Sequence, residues 1–215
     1  MSTMIAVPCL DMIQVSFASS LIQMLGSGVL RDVSIAFEAG SLVHEARNRL
    51  ALKAINEGYE RVLWLDSDMV FTPELAEKLS EDLDEGRDFV SAVYFMRRLP
   101  TKPMIAKSLD WYEHDTLGAQ EYVEIYEDYP KEQIFAIAGC GFGAVMMKTE
   151  LLKQIAVNFR CGPFTPMPRL SEDYSICWRL KQMGVDMYAD SRIPVGHCGM
   201  KVYGPQDYTR SDEKP

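Results

Sequence analysis

Through its first half the chain switches regularly between strand-like and helix-like spacing of apolar residues. Met4-Ile5-Ala6-Val7 is a short apolar run closed by Pro8, and Arg31–Phe37 alternates apolar and polar residues as a strand does. Between them, Ser16–Leu25 has the composition of a helix, with Gly26 and Gly28 as stop signals. In Ser41–Glu57, Leu42, Ala46, Leu50 and Ala54 recur every fourth residue, the stripe of an amphipathic helix closed by Gly58. Arg61–Leu65 is the next strand. Thr72-Pro73-Glu74 then opens a helix, with Thr72 as cap and Pro73 in the first turn, that runs to about Glu85 and stops at Gly86. Asp88–Met96 reads as a strand. This alternation predicts an α/β fold, a parallel sheet covered by helices on both faces.

The second half is less periodic. Residues Arg97–Pro130 are polar and aromatic, and predict loops with short antiparallel strands such as Tyr122–Tyr126. Ile134–Ala138 and Ala144–Lys148 are strand-like and flank the glycine cluster Gly139, Gly141 and Gly143. Thr149–Val157 predicts a short helix and Cys161–Arg169 a proline-rich loop. Ser171-Glu172-Asp173 opens a helix ending near Gly184, and Val185–Ala189 is expected as the final strand. The expected organisation is one domain over residues 1–200, followed by a polar tail, 201–215.

Charge narrows the partners. Twenty-two Lys and Arg face 31 Asp and Glu, a net charge of −9, so the basic footprint of a nucleic-acid binder is missing. No run approaches the roughly 18 apolar residues of a membrane span, and Met1–Leu10 lacks the basic start of a secretory signal. The five cysteines form no Cys-x-x-Cys pair, which argues against a disulfide framework or a structural zinc site and predicts reduced thiols in a cytoplasmic protein.

Several groups of residues carry chemistry. Asp66-Ser67-Asp68 follows the apolar strand at the point where an open α/β sheet binds ligands. Two carboxylates one residue apart can share a hard cation that also bridges to phosphates, although Asp and Ser also suit a plain turn. Glu172 and Asp173 fit a helix N-terminus and equally a general base aimed at a hydroxyl. Of the three histidines (His44, His114 and His197), His197 lies in the glycine-flanked loop Pro194–Gly199, where its ring could approach a metal; carboxylate with imidazole suits Mn²⁺ somewhat better than Mg²⁺. Arg47, within Glu45-Ala46-Arg47-Asn48-Arg49, reads as a solvated helix face or as a residue aimed past the sheet edge at a base or phosphate. The glycines at 139, 141 and 143 lack dinucleotide-loop spacing; they suit a tight connection or a close backbone approach to a sugar.

In this order, Ala46-Arg47-Asn48, then Val62-Leu63-Trp64-Leu65-Asp66-Ser67-Asp68, then Thr72-Pro73 resemble the GT-A class of glycosyltransferases, and most of all the family 2 group of inverting enzymes. The resemblance implies a Rossmann-like, mixed but mainly parallel sheet and transfer of a sugar from a nucleoside-diphosphate donor to an acceptor hydroxyl with Mn²⁺ or Mg²⁺. Val7, Pro8, Cys9, Glu38, Arg47, Ser67 and Gly141 would border the donor and acceptor. Asp68 and His197 would hold the metal, with Asp66 on the ribose or metal. Asp173, or Glu172 in a shifted register, would be the catalytic base. Two features depart from the family: no Asn follows Pro8 closely, and the Gln-x-x-Arg-Trp motif is represented only by Cys177-Trp178-Arg179. The rival classes are a metal-dependent nucleotidyltransferase and a non-catalytic nucleotide-binding protein of the same fold. Val7–Gln14 contains no Gly, Lys or Arg, unlike the phosphate loop the first of these would carry.

Overall fold

The computed structural model describes residues 1–40, 42–114, 118–199 and 202–205. Its first half runs β1 (Ser2–Cys9), α1 (Val15–Ser27), β2 (Asp32–Ala39), α2 (Val43–Asn56), β3 (Arg61–Leu65), β4 (Met69–Phe71), α3 (Glu74–Asp84) and β5 (Phe89–Ala92). The second half adds β6 (Ile105–His114), β7 (Gly118–Ile125), β8 (Ile134–Ile137), β9 (Gly139–Cys140), β10 (Ala144–Lys148), α4 (Thr149–Phe159), α5 (Glu172–Gln182), β11 (Met187–Asp190), β12 (Val195–Cys198) and β13 (Val202–Tyr203).

The central sheet has the order β2-β1-β3-β10-β5-β11-β8. β1 is parallel to β2 and β3, and β5 is parallel to β11, whereas β10 runs against both of its neighbours and β8 runs against β11. The sheet is therefore mixed, with three parallel and three antiparallel neighbour pairs, and five of its seven strands (β1, β2, β3, β5 and β11) run the same way, in keeping with the expected mainly parallel arrangement. Alternation within the apolar run of β1 explains how both faces are covered. Met4 and Ala6 join a core with Leu50 of α2, Leu152 of α4 and Leu180 of α5. Ile5 and Val7 join a second core, with Phe17 and Leu21 of α1 and Leu75 and Leu79 of α3. Ile5 and Leu63 are fully buried; truncating either to Ala would cost about 2–5 kcal/mol.

Several expectations change. α1 continues through Gly26 and ends at Gly28, whose φ of 72° is the left-handed conformation glycine tolerates. Thr72 does not cap α3: the N-cap is Pro73, with no side-chain cap bond, and the first turn closes through backbone bonds from Leu75 N to Thr72 O and Ala76 N to Pro73 O. The irregular 97–130 stretch contains a long antiparallel ladder, β6 on β7, whose partly exposed faces blur the period-two signal. β11 is not the last strand. β12, which reads as a glycine-flanked loop, is held by antiparallel pairing with β4 in a small second sheet. Ser41, Lys201 and residues 206–215, which include most of the expected tail, lie outside the described residues.

Candidate active site

A cavity of about 660 Å³ opens beyond the carboxyl ends of β1 and β3, the place where parallel strands of an open sheet present ligand-binding loops. Pro8 and Cys9 at the end of β1 and the following segment, residues 10–15, form one wall. Asp66, Ser67 and Asp68 form the floor after β3. Backbone bonds tie the segment to three neighbours: Asp66 N donates to Gly143 O (3.1 Å), Ser67 O accepts from Gln14 N (3.1 Å), and Asp68 O accepts from Cys198 N (2.7 Å). Each aspartate side chain also has partners outside the turn.

Asp66 is turned toward Arg47. This arginine, on α2, is only 2% exposed. Its Nη2 donates to Asp66 Oδ1 (2.8 Å), and its Nη1 donates to Glu172 Oε1 (3.0 Å) and to Asp173 Oδ1. The guanidinium lies 5.7 Å from the ring centres of both Phe142 and Phe164. Burial alone disfavours its charge, but Asp173, Asp66 and Glu172 outweigh burial and keep it firmly protonated. The solvated-face reading of Arg47 is therefore replaced by a buried junction. Next to it, Asn48 Oδ1 accepts from Phe164 N (2.8 Å), tying the 161–165 loop to the same helix.

One cation shared among three carboxylates leaves negative charge in excess. The effect falls on Asp173, whose side chain is 17% exposed and lines the cavity. Burial raises its pKa, Arg47 opposes, and Glu172 and Asp66 add to the rise, bringing it to about 7. Ser171 caps α5 by accepting from Tyr174 N (3.4 Å), so neither acid is needed as the cap. Glu172 contacts Arg47 and is not part of the cavity lining.

Asp68 faces the other way. The register of β12 on β4 pairs His197 with Met69 and so sets the imidazole beside Asp68, with Nε2 3.5 Å from Oδ1. His197 Nδ1 lies 2.9 Å from Phe95 O, an acceptor only, which fixes that nitrogen as the donor. Arg97 Nη1 donates to Asp68 Oδ2 (2.6 Å) and to Cys198 O (3.3 Å). Burial pushes the Asp68 pKa up, but the His197 contact and charge and then Arg97 outweigh it, leaving the carboxyl below its usual range. Arg97 went unrecognised in the sequence, where Arg97-Arg98 sits in a polar stretch without periodicity.

The remaining candidates are spread more widely. Val7 is fully buried in the core and does not line the cavity. Glu38 is paired with Arg49 (2.6 Å), and its carbonyl accepts from Cys9 Sγ (3.8 Å). The glycine cluster makes room for a phenol: a Cβ on Gly141 would lie 2.1 Å from Tyr94 Oη, and one on Gly143 would lie 2.8 Å from Tyr94 Cζ. Tyr94 Oη in turn accepts from Gly143 N (3.0 Å). Among the described residues, no three His, Cys, Asp or Glu side chains converge as metal ligands. Of the expected trio, Asp68 and His197 are brought together.

These features define a GT-A-like fold. Over its whole length the chain is similar to A197 from STIV, with a TM-score of 0.65, 18% identity and 92% of that protein covered. Over 97% of its length it is also similar to GalNAc-T7 solved with UDP, GalNAc and Mn²⁺ (TM-score 0.60, 9% identity). The chain spans 45% of the latter's length. The likeness is one of fold and does not single out the family 2 group. At the level of sequence, neither a protein-family profile nor a curated protein matches the chain. No helix among the described residues is long and apolar enough to cross a membrane.

Proposed function

We propose that this chain is a glycosyltransferase that moves a sugar from a nucleoside-diphosphate donor to an acceptor hydroxyl, with inversion at the sugar carbon. One observation carries the reading: a single cavity contains a carboxyl with its pKa raised to about 7, Asp173, and a separate carboxylate–imidazole pair, Asp68 with His197. On this reading Asp173 is the proton acceptor for the hydroxyl, and the Asp68–His197 pair serves the charge of the leaving group.

The donor set fits a divalent cation. With its Nδ1 donating to Phe95 O, His197 turns Nε2 toward Asp68 Oδ1, 3.5 Å away. A divalent cation would take the place of the proton between them, with Nε2 and Oδ1 forming one edge of its coordination shell. Mg²⁺ and Mn²⁺ sites in phosphate-handling enzymes commonly use one or two protein ligands and complete the shell with water and phosphate oxygens. A bound cation supplies positive charge to a diphosphate leaving group. Asp173 takes the proton of the acceptor hydroxyl as that oxygen attacks the sugar carbon. Arg47 holds Asp66 and Asp173 in fixed relation beneath the cavity.

The test is a transfer and hydrolysis assay over UDP-, GDP-, CDP- and dTDP-sugars with Mn²⁺. UDP with Mn²⁺ is the first probe because GalNAc-T7, of similar fold, was solved with both. Turnover of one donor that is lost in Asp68→Asn and Asp173→Asn supports the reading. No nucleoside-diphosphate binding with any cation, in a folded protein, ends it.

A further inference from the structure

Asp68 has two partners at once: Oδ1 faces His197 Nε2, and Oδ2 accepts from Arg97 Nη1 at 2.6 Å. A cation therefore already sits on the carboxylate through which the proposed reading binds a metal. Arg97 is held quite unlike Arg47. Arg47 is 2% exposed and fixed by three carboxylates, whereas Arg97 is 48% exposed and its only other hydrogen bond among the described residues is to Cys198 O. Ion pairs that open to water are weak and exchange readily. The backbone that carries Arg97 is firm: Tyr94 O accepts from Met104 N (2.8 Å), Met96 N donates to Lys102 O (2.9 Å), and Phe95 O takes His197 Nδ1. A long, half-exposed side chain thus projects from a braced segment into the cavity wall.

Resting on the donor-binding reading above, we propose that Arg97 is an exchangeable counter-ion, seated on Asp68 in the empty site and transferred to the donor's diphosphate when a divalent cation takes Asp68. A divalent cation at Oδ1 and a guanidinium on Oδ2 compete for the charge of one carboxylate, and their like charges repel each other. Once displaced within the cavity, the planar fork of the guanidinium matches phosphate oxygens in a bidentate manner. Cation and diphosphate then assist each other, because each favours the state in which Arg97 has left Asp68. Such coupling is reciprocal by thermodynamic necessity. The cation alone binds weakly, and the diphosphate tightens it.

The experiment titrates Mn²⁺ alone by electron paramagnetic resonance. It then titrates UDP and GDP calorimetrically with and without Mn²⁺, in the wild type, Arg97→Met, Arg97→Gln and Arg97→Lys. Thermal unfolding confirms that each variant is folded. The expected result is Mn²⁺ binding about tenfold tighter in Arg97→Met and Arg97→Gln than in the wild type, with the mutual enhancement between Mn²⁺ and diphosphate reduced by a similar factor. Arg97→Lys keeps a competing charge and stays near the wild type. Adding Asp68→Asn to Arg97→Met removes the gain. Mn²⁺ binding that is unchanged or weaker in both neutral variants overturns the inference, even where nucleotide binding and transfer persist. A wild type that binds Mn²⁺ but no nucleoside diphosphate overturns the glycosyltransferase reading and, with it, the transfer of Arg97 to phosphate. Tighter Mn²⁺ binding in the neutral variants would still confirm the competition at Asp68.

Discussion

Arg47 on α2 and Asp173 at the start of α5, 126 residues apart in the chain, meet beneath the cavity through Nη1 and Oδ1. The same guanidinium reaches Asp66 at the end of β3, so one side chain joins the two acidic motifs. Removing it leaves three carboxylates without their cation. Arg47→Met is expected to lose about 3–5 kcal/mol of stability, the cost of stranding a buried charge partner, as read by urea unfolding. Arg47→Lys should recover only part of this, because an ammonium cannot present two nitrogens to carboxylates on opposite sides.

Asp173 sets the expected pH dependence of transfer. With its pKa raised to about 7, the base is mostly protonated in mild acid and becomes available as pH rises through neutrality. The rate should climb through about pH 7. In Asp173→Asn that limb should vanish and kcat should fall by roughly 10²–10⁴, the range for loss of a general base. Nucleoside-diphosphate affinity should stay near the wild type; a variant that transfers normally would reduce Asp173 to a helix-terminus residue.

The same raised pKa acts on stability with a definite sign. An unfolded aspartate titrates near 4, at about its reference value, and the folded one at about 7. Between those values the folded chain holds a proton that the unfolded chain has released, so this group's contribution to stability declines as pH rises through that window. Thermal midpoints at pH 5 and pH 8 should differ more in the wild type than in Asp173→Asn. Equal differences would remove the linkage.

Gly141 and Tyr94 should be coupled in a double-mutant cycle. Gly141→Ala drives a methyl into the Tyr94 hydroxyl and is expected to cost about 1–3 kcal/mol, the usual penalty of overpacking. Tyr94→Phe costs stability by leaving Gly143 N without its acceptor. Together they should cost less than the sum, since the phenylalanine lacks the atom the methyl would meet. Strict additivity, measured by denaturant unfolding, would count against this packing.

Local signals made much of the frame legible. Arg61–Leu65 matches β3 residue for residue: the apolar run Val62–Leu65 lies between Arg61 and Asp66, and every residue of the strand is buried in the sheet. The four-residue stripe from Leu42 located α2, and Asp66 and Asp68 followed from their place after β3. What stayed hidden depends on distant partners. Arg47 stands between Glu45 and Arg49 and looks like surface until α5 supplies Glu172 and Asp173. Arg97 gains meaning only from Asp68, 29 residues earlier. Val7 shows the converse: a continuous apolar run reveals a buried strand but not which residue ends in the core and which at the cavity. β12 was missed because Gly196 weakens the strand signal, while its pairing with β4 comes from far upstream.

The reversed direction of β10 has a practical consequence. Its N-terminal end, after Gly143, lies with the cavity, and its C-terminal end leads to the opposite edge of the sheet. There Lys148 N donates to Asp88 O and Thr149 N to Glu60 O. A five-residue strand separates the two edges by about 15 Å. The exposed turns at Glu57-Gly58 and Glu85-Gly86 border that far edge. A fluorophore, affinity handle or surface tether attached there would report on the molecule or immobilise it while leaving the mouth of the cavity open.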